Sequence, residues 1–205
     1  TNAELAQLSI QKLLTEALLP LQELELLACA TASPDQVLPS HASMVHGLLK
    51  NAPMEIFSAS GICLSCVQAF KIAYLSILAG DKRNAVCSCS ELASAGLLSK
   101  NFDVEYEKCA NLGIQPYMAL EKDFLRFMLS DGASAVLLQD NPGKGKALHI
   151  EWVEMTSYAN ELPTCMFMGA EKEKNGRLKS WKSLSSQELT DRSLFTLKQD
   201  IKLLE

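Results

Sequence analysis

The sequence predicts a layered α/β domain built around a mixed sheet. Three observations predict it. Segments of helical and of strand period alternate along residues 3–90. Further on, strand-like runs follow one another with only turn residues between them, which predicts local antiparallel pairing. The chain has 205 residues, 48% apolar and 21% charged, enough apolar surface to bury a core.

Residues 3–19 carry Leu5, Leu8, Ile10, Leu13, Leu14 and Leu18 at amphipathic helical spacing, and Pro20 stops the helix. Residues 24–30 read as an apolar strand, and Ser33-Pro34-Asp35 and Pro39 as turn. Ser40 can cap a short helix through about residue 49. Residues 54–58 form a short strand. Residues 62–79 are apolar nearly all round, with Lys71 the only charge, which predicts a helix buried on every side and ended by Gly80. Residues 84–90 form another apolar strand, and 94–122 are irregular. A strand at 135–139 turns through 141–145, and 147–155 pairs back with it. Residues 186–204 read as an amphipathic helix. There is no internal repeat and no low-complexity segment.

Net charge is −5, and the basic residues gather only around 144–146 and 172–182, so nucleic acid is not an expected partner. No run of apolar residues has membrane-spanning length, and residues 1–7 lack a basic cluster, so neither a membrane nor a secretory leader is expected. Seven cysteines, mostly set among apolar residues, suit a reducing compartment, and the expected location is cytoplasmic. The scattered methionines read as core filling.

The chemistry concentrates at residues 54–63, where a strand and small residues lead to Cys63 at the first turn of a helix. Small residues allow a sharp bend with the sulfur outside it. A helix amino terminus carries about half a positive charge and favours a thiolate, and its N–H groups can hold an oxyanion. That pattern suits acyl transfer through a thioester on Cys63. Three other readings stand beside it. Cys63 could be a small core residue. Cys63 and Cys66 form a C-x-x-C that could be a redox pair, without a thioredoxin-like lead-in. Cys63, Cys66, Cys87 and Cys89 could bind zinc, but the last two alternate within an apolar strand, so no metal and no cofactor is expected.

These residues also carry a family resemblance. F-S-A-S-G-I-C-L-S-C-V-Q-A at 57–69 resembles the F-D-x-x-x-A-C-x-G-F-x-x-A pattern of β-ketoacyl-[acyl-carrier-protein] synthase III, a thiolase-superfamily condensing enzyme. Residues 85–91, ending Cys89-Ser90-Glu91, resemble its strand ending in G-S-(D/E). Residues 129–135, L-S-D-G-A-S-A, resemble F-G-D-G-A-G-A, and 27–35 with Pro39-Ser40 resemble its A-T-x-T-P-D turn. The four motifs cover residues 3–138 in order.

The resemblance implies a thiolase-like fold, layered α-β-α with a mixed five-stranded sheet. Residues 1–145 would form the half carrying the nucleophile, and 146–205 the incomplete start of the carboxy-terminal half. It implies Cys63 as the acylated residue, with acyl-CoA and acyl carrier protein as partners, a homodimer, and a place in fatty acid or polyketide synthesis. Leu129, Cys66 and Leu92 would line the substrate pocket, while Asp131 and Gly132 would hold a structural loop. Glu91 reads equally as a hydrogen-bonded carboxylate or a solvated strand end. The family's H-Q-x-N-like and G-N-x-S-like motifs do not occur, and His41, His46 and the strand-borne His149 lack the needed neighbours. The chain therefore resembles a fragment trimmed at both ends, inactive alone. Ser58, Ser65, Cys66, Leu129 and Ser130 depart from the family pattern, which implies a differently shaped acyl pocket. A non-catalytic thiolase-fold partner or scaffold subunit is the alternative.

Overall fold

The computed structural model describes residues 1–104, 106–107, 124–125, 127–141, 143, 146–200 and 203. Two compact units emerge, one from residues 1–92 and 131–155, the other from 93–130 and 156–205.

In the first unit α1 (Asn2–Glu16) starts at a capping box, Thr1 with Glu4, and buries Ala3, Ala6, Ile10 and Leu14 along one stripe. It ends before Pro20, at a left-handed Leu18. β1 (Leu26–Thr31) is buried at all six positions. Ser40 caps α2 (His41–Leu49) by accepting from the Ser43 amide. β2 (Glu55–Ser60), α3 (Ser65–Leu78) and β3 (Asn84–Glu91) follow, and β4 (Gly132–Gln139) completes one sheet in the order β2-β1-β3-β4. β1 pairs parallel with β2 and β3, which explains its unbroken apolar run. β4 lies antiparallel to β3, so the sheet is mixed.

The two faces differ in what they bury. On one, Ile10 and Leu14 of α1 and Val45 of α2 meet Leu27, Cys29 and Val86. On the other, Ala69 and Ala73 of α3 meet Leu26, Ala28, Ala30, Ala59 and Ala85. Methyl side chains on both sides of that contact seat α3 close against the sheet.

Two expectations change in this unit. Among the described residues the sheet of this unit has four strands, not five: residues 147–155 form no strand, and β4 instead takes the apolar β3 as its partner from Asn84↔Gln139 to Glu91↔Gly132. Residues 147–155 are largely exposed, with Ile150 packed against the cluster under α3. α3 is buried on one face only. Val67, Ile72, Leu75 and Leu78 are exposed, because the sheet covers only the stripe of Ala69 and Ala73. The turn expected at 141–145 is described only at Asn141 and Gly143, where Gly143 is left-handed and its amide donates to the Asn141 side chain. Its other residues, and most of 105–123, lie outside the described residues.

The second unit contains a short α4 (Ala93–Gly96) and two small antiparallel pairs. β5 (Met166–Phe167) pairs with β8 (Lys198–Gln199), and β6 (Ala170–Lys172) with β7 (Leu178–Ser180). α5 (Ser186–Asp191) starts at a capping box, Ser185 with Glu188. The long helix expected over 186–204 therefore stops at Asp191, and the chain turns through the left-handed Ser193 into β8. Trp181 stacks at a tilt on Phe195, ring centroids 5.7 Å apart, beside the left-handed Gly169.

Candidate functional site

Cys63 sits in the turn between β2 and α3, two residues before the first helical residue, and is exposed. Gly61 takes a φ of +150°, which L side chains rarely adopt, although a Cβ there would meet no atom within 4 Å. Glycine is thus required by the backbone rather than by space. The Ser65 amide donates to the Ile62 carbonyl at 2.8 Å and the Cys66 amide to the Cys63 carbonyl at 3.3 Å. These bonds tighten the bend and leave the side chain of Cys63 outside it. Ser65 is buried, and among the described residues its hydroxyl has no partner. Ser58 on β2 accepts from the Ala42 amide at 3.3 Å, so it serves the first turn of α2.

Behind this turn the carboxyl ends of β1 and β3 meet in a polar network. Glu91 accepts from the Ala32 amide at 2.6 Å and from the hydroxyls of Ser33 and Thr31 at 2.5 and 3.2 Å. Of its two readings, the hydrogen-bonded carboxylate is the observed one. Ser33 also accepts from the Leu92 amide at 3.1 Å. Asp35 accepts from the amides of Asn2 and Ala3 at 2.8 and 2.9 Å, capping α1 from 33 residues away. Asn2 is fully buried and donates to Thr31 and to the carbonyls of Ser33 and Ser90. The sequence marked Ser33-Pro34-Asp35 as a turn, but the partner of Asp35 could only be found in three dimensions.

The cysteines of α3 and β3 converge. The sulfur of Cys87 lies 3.9 Å from the Cys66 carbonyl, and Cys66 and Cys89 pack, half-buried, against the same apolar cluster as Cys87. The influence of Cys89 and then burial push the Cys66 thiol far up. Cys66 pulls Cys89 down, yet the influence of Cys87 and burial carry Cys89 up to about 12. Cys29, on the other face of the sheet, is pushed up by burial. Among the described residues no group of three or more His, Cys, Asp and Glu is arranged to hold a metal ion.

The remaining expected residues scatter. Leu92 and Gly132 stand at the end of β3 and the start of β4, with Gly132 opposite Glu91. Asp131 precedes it, exposed. Leu129 belongs to the second unit, half-buried, its amide donating to the Leu125 carbonyl. His41 is 3% exposed, and its Nε2 lies 3.1 Å from the Ser90 hydroxyl. Burial lowers its pKa, against a partial upward pull from Asp35 and Glu91. His46 faces the Ala52 carbonyl at 3.2 Å, and His149 is exposed in the non-strand segment 147–155. A groove of about 630 Å3 runs along β2 and α3, lined by Phe57, Ala59, Ile72, Leu75, Met155 and Lys71 among others. Neither Cys63 nor any of the three expected pocket residues lines it. Among the described residues no helix is long and apolar enough to cross a membrane.

No protein-family model matches the chain. It is 28% identical over 147 residues to β-ketoacyl-[acyl-carrier-protein] synthase III of Rhodospirillum centenum, covering 71% of this chain and 39% of that protein. It is 32% identical over 128 residues to the same-named protein of Limosilactobacillus reuteri, covering 62% and 33%. The chain thus spans well under half the length of the curated relatives it matches. Among solved structures it resembles acetamide-bound OleA of Xanthomonas campestris at TM-score 0.58 and 22% identity, over 67% of this chain and 41% of that one. Cerulenin-bound OleA gives the same score and identity, over 67% and 40%. The fold is thiolase-like, and the sequence resemblance to the synthase III enzymes holds over the amino-terminal part of the chain.

Proposed function

We propose that the chain is the nucleophile-bearing part of a condensing acyltransferase, with Cys63 as the residue that is acylated. One observation carries this reading: Cys63 is exposed at the bend between β2 and α3, on a turn whose glycine and local hydrogen bonds hold the side chain outward. In the first step the Cys63 thiolate attacks the carbonyl of an acyl-CoA thioester, and the coenzyme A thiolate leaves. The amides of Ser65 and Cys66 are committed within the turn, so an oxyanion formed here draws on the amides of Cys63 and Leu64. In the second step the acyl group passes to malonyl carried on acyl carrier protein, with release of carbon dioxide. That step belongs to the whole protein, with residues 1–145 as the nucleophile half and 146–205 as the start of the other. Cys66 and Leu92 are proposed to line the acyl pocket, and Asp131 and Gly132 to hold the loop beside it. A cytoplasmic homodimer acting in fatty acid or polyketide synthesis completes the reading.

Incubation with acyl-CoA followed by intact-mass measurement tests it. A single acyl adduct, released by hydroxylamine and missing from Cys63→Ala, is expected. No adduct, or one retained in Cys63→Ala, overturns the reading. The departures from the synthase III pattern at Ser58, Ser65 and Cys66 favour a second reading, a thiolase-fold scaffold subunit, which no adduct in the complete protein would support.

A further inference from the structure

We infer that His41 is an acid-sensitive latch that holds the first turn of α2 against β2 and the end of β3. His41 is 3% exposed at the first helical position, with Nε2 3.1 Å from the Ser90 hydroxyl. That hydroxyl donates its one hydrogen to the Asn2 carbonyl at 3.4 Å, so its oxygen accepts from the ring. The neutral imidazole therefore carries its proton on Nε2, and Nδ1 is left as a bare acceptor. Nδ1 is buried and, among the described residues, has no partner. One residue on, the Ala42 amide donates to Ser58 on β2 at 3.3 Å, while Ser40 accepts from the amides of Ser43 and Met44. The latch thus ties α2 to β3 through His41, and through Ala42 to the strand that leads to Cys63.

Protonation adds an N–H at Nδ1, where the buried site offers no acceptor. The charged groups that act on His41 are Asp35, in the connection after β1, and Glu91, at the end of β3. The oxygens of Asp35 are taken by the amides of Asn2 and Ala3, and those of Glu91 by Ala32, Thr31 and Ser33. Their charges draw the ring toward its protonated form, but burial opposes them and is the larger influence. At the start of α1, Thr1 and Glu4 are paired with each other, and Glu55 on β2 is paired with Lys82. On α2 itself, His46 faces the Ala52 carbonyl. An added proton is therefore accommodated by opening the turn, which brings the ring into water. The open turn takes up the proton at the ordinary histidine value of about 6.5. Between pH 7.5 and pH 5 the open population then rises by at most about 30-fold, the bound set by a closed form that takes no proton.

Record the imidazole nitrogen resonances of the full chain, and its backbone amide exchange at about pH 7.5 and pH 5, corrected for the intrinsic pH dependence. The Nε2–H form of His41 is expected at the higher pH. Protection of the Ala42, Ser43 and Met44 amides is expected to fall at the lower pH by up to about 30-fold, with α3 keeping its protection. In His41→Gln, whose side-chain amide can still donate to Ser90 but does not titrate, that loss is expected to vanish. An Nδ1–H tautomer, unchanged wild-type protection, an equal loss over α3, or the same loss in His41→Gln overturns the proposal. The tautomer is read in the wild-type chain, so the proposal is tested even where the variant does not fold. Acylation of Cys63 does not enter the readout, so this proposal and the acyl-transfer reading fail separately.

Discussion

Replacing Ala69 with leucine tests the packing that places the nucleophile turn. Ala69 and Ala73 have no exposed surface and face Ala28, Ala30, Ala59 and Ala85 across the α3–sheet contact. Leucine adds three carbons where alanines meet alanines, so either α3 lifts from the sheet or the side chain leaves its preferred rotamer. Overpacking of this kind costs about 1–3 kcal/mol. For a chain of this size each kcal/mol moves the melting temperature by roughly 2–4 °C. The drop expected in Ala69→Leu is therefore about 2–12 °C by thermal denaturation. Leu78→Ala, at a position 67% exposed on the same helix, serves as the control, with a change within about 0.5 kcal/mol. An Ala69→Leu protein that melts with the wild type would refute the close seating of α3. So would a larger loss in Leu78→Ala than in Ala69→Leu.

Asp35→Ala removes the carboxylate that accepts from the amides of Asn2 and Ala3, at an exposed site, and should cost about 1–2 kcal/mol. The urea midpoint should fall without a change in slope, and an unchanged midpoint would count against the long-range cap. His41 has its pKa lowered in the folded state by burial, so the unfolded chain takes up its proton first as pH falls. The contribution is present above about pH 6.5 and is lost as pH drops through the folded-state value. Melting temperature should decline from pH 7 to pH 5 more steeply in wild type than in His41→Gln. Equal slopes would assign the acid sensitivity to other groups.

Local signals located the elements well. Ser40 before α2, the amphipathic leucines of α1 and the small residues ahead of Cys63 are each visible within a few residues of sequence, because capping, helical periodicity and tight bends depend on near neighbours. Strand partners were less legible. β4 and residues 147–155 have similar apolar content, and a hairpin is the shortest connection. The buried β3 wins because it joins β4 to a sheet whose faces α1 and α3 already cover. The composition of α3 likewise implied burial on all sides, whereas the sheet covers only its alanine stripe.

The site divides in the same way. Its sequence alone determined that Cys63 stands at a glycine-led bend before an apolar helix, since those residues are contiguous and the bend is a local conformational matter. Only the tertiary structure decided what surrounds that bend. Glu91 meets Ser33 from 58 residues away, Asp35 reaches the start of α1, and Cys87 of β3 approaches the Cys66 carbonyl of α3. The Glu91 and Asp35 contacts depend on parallel strands bringing their carboxyl ends side by side, a long-range consequence of sheet order that no window of sequence contains.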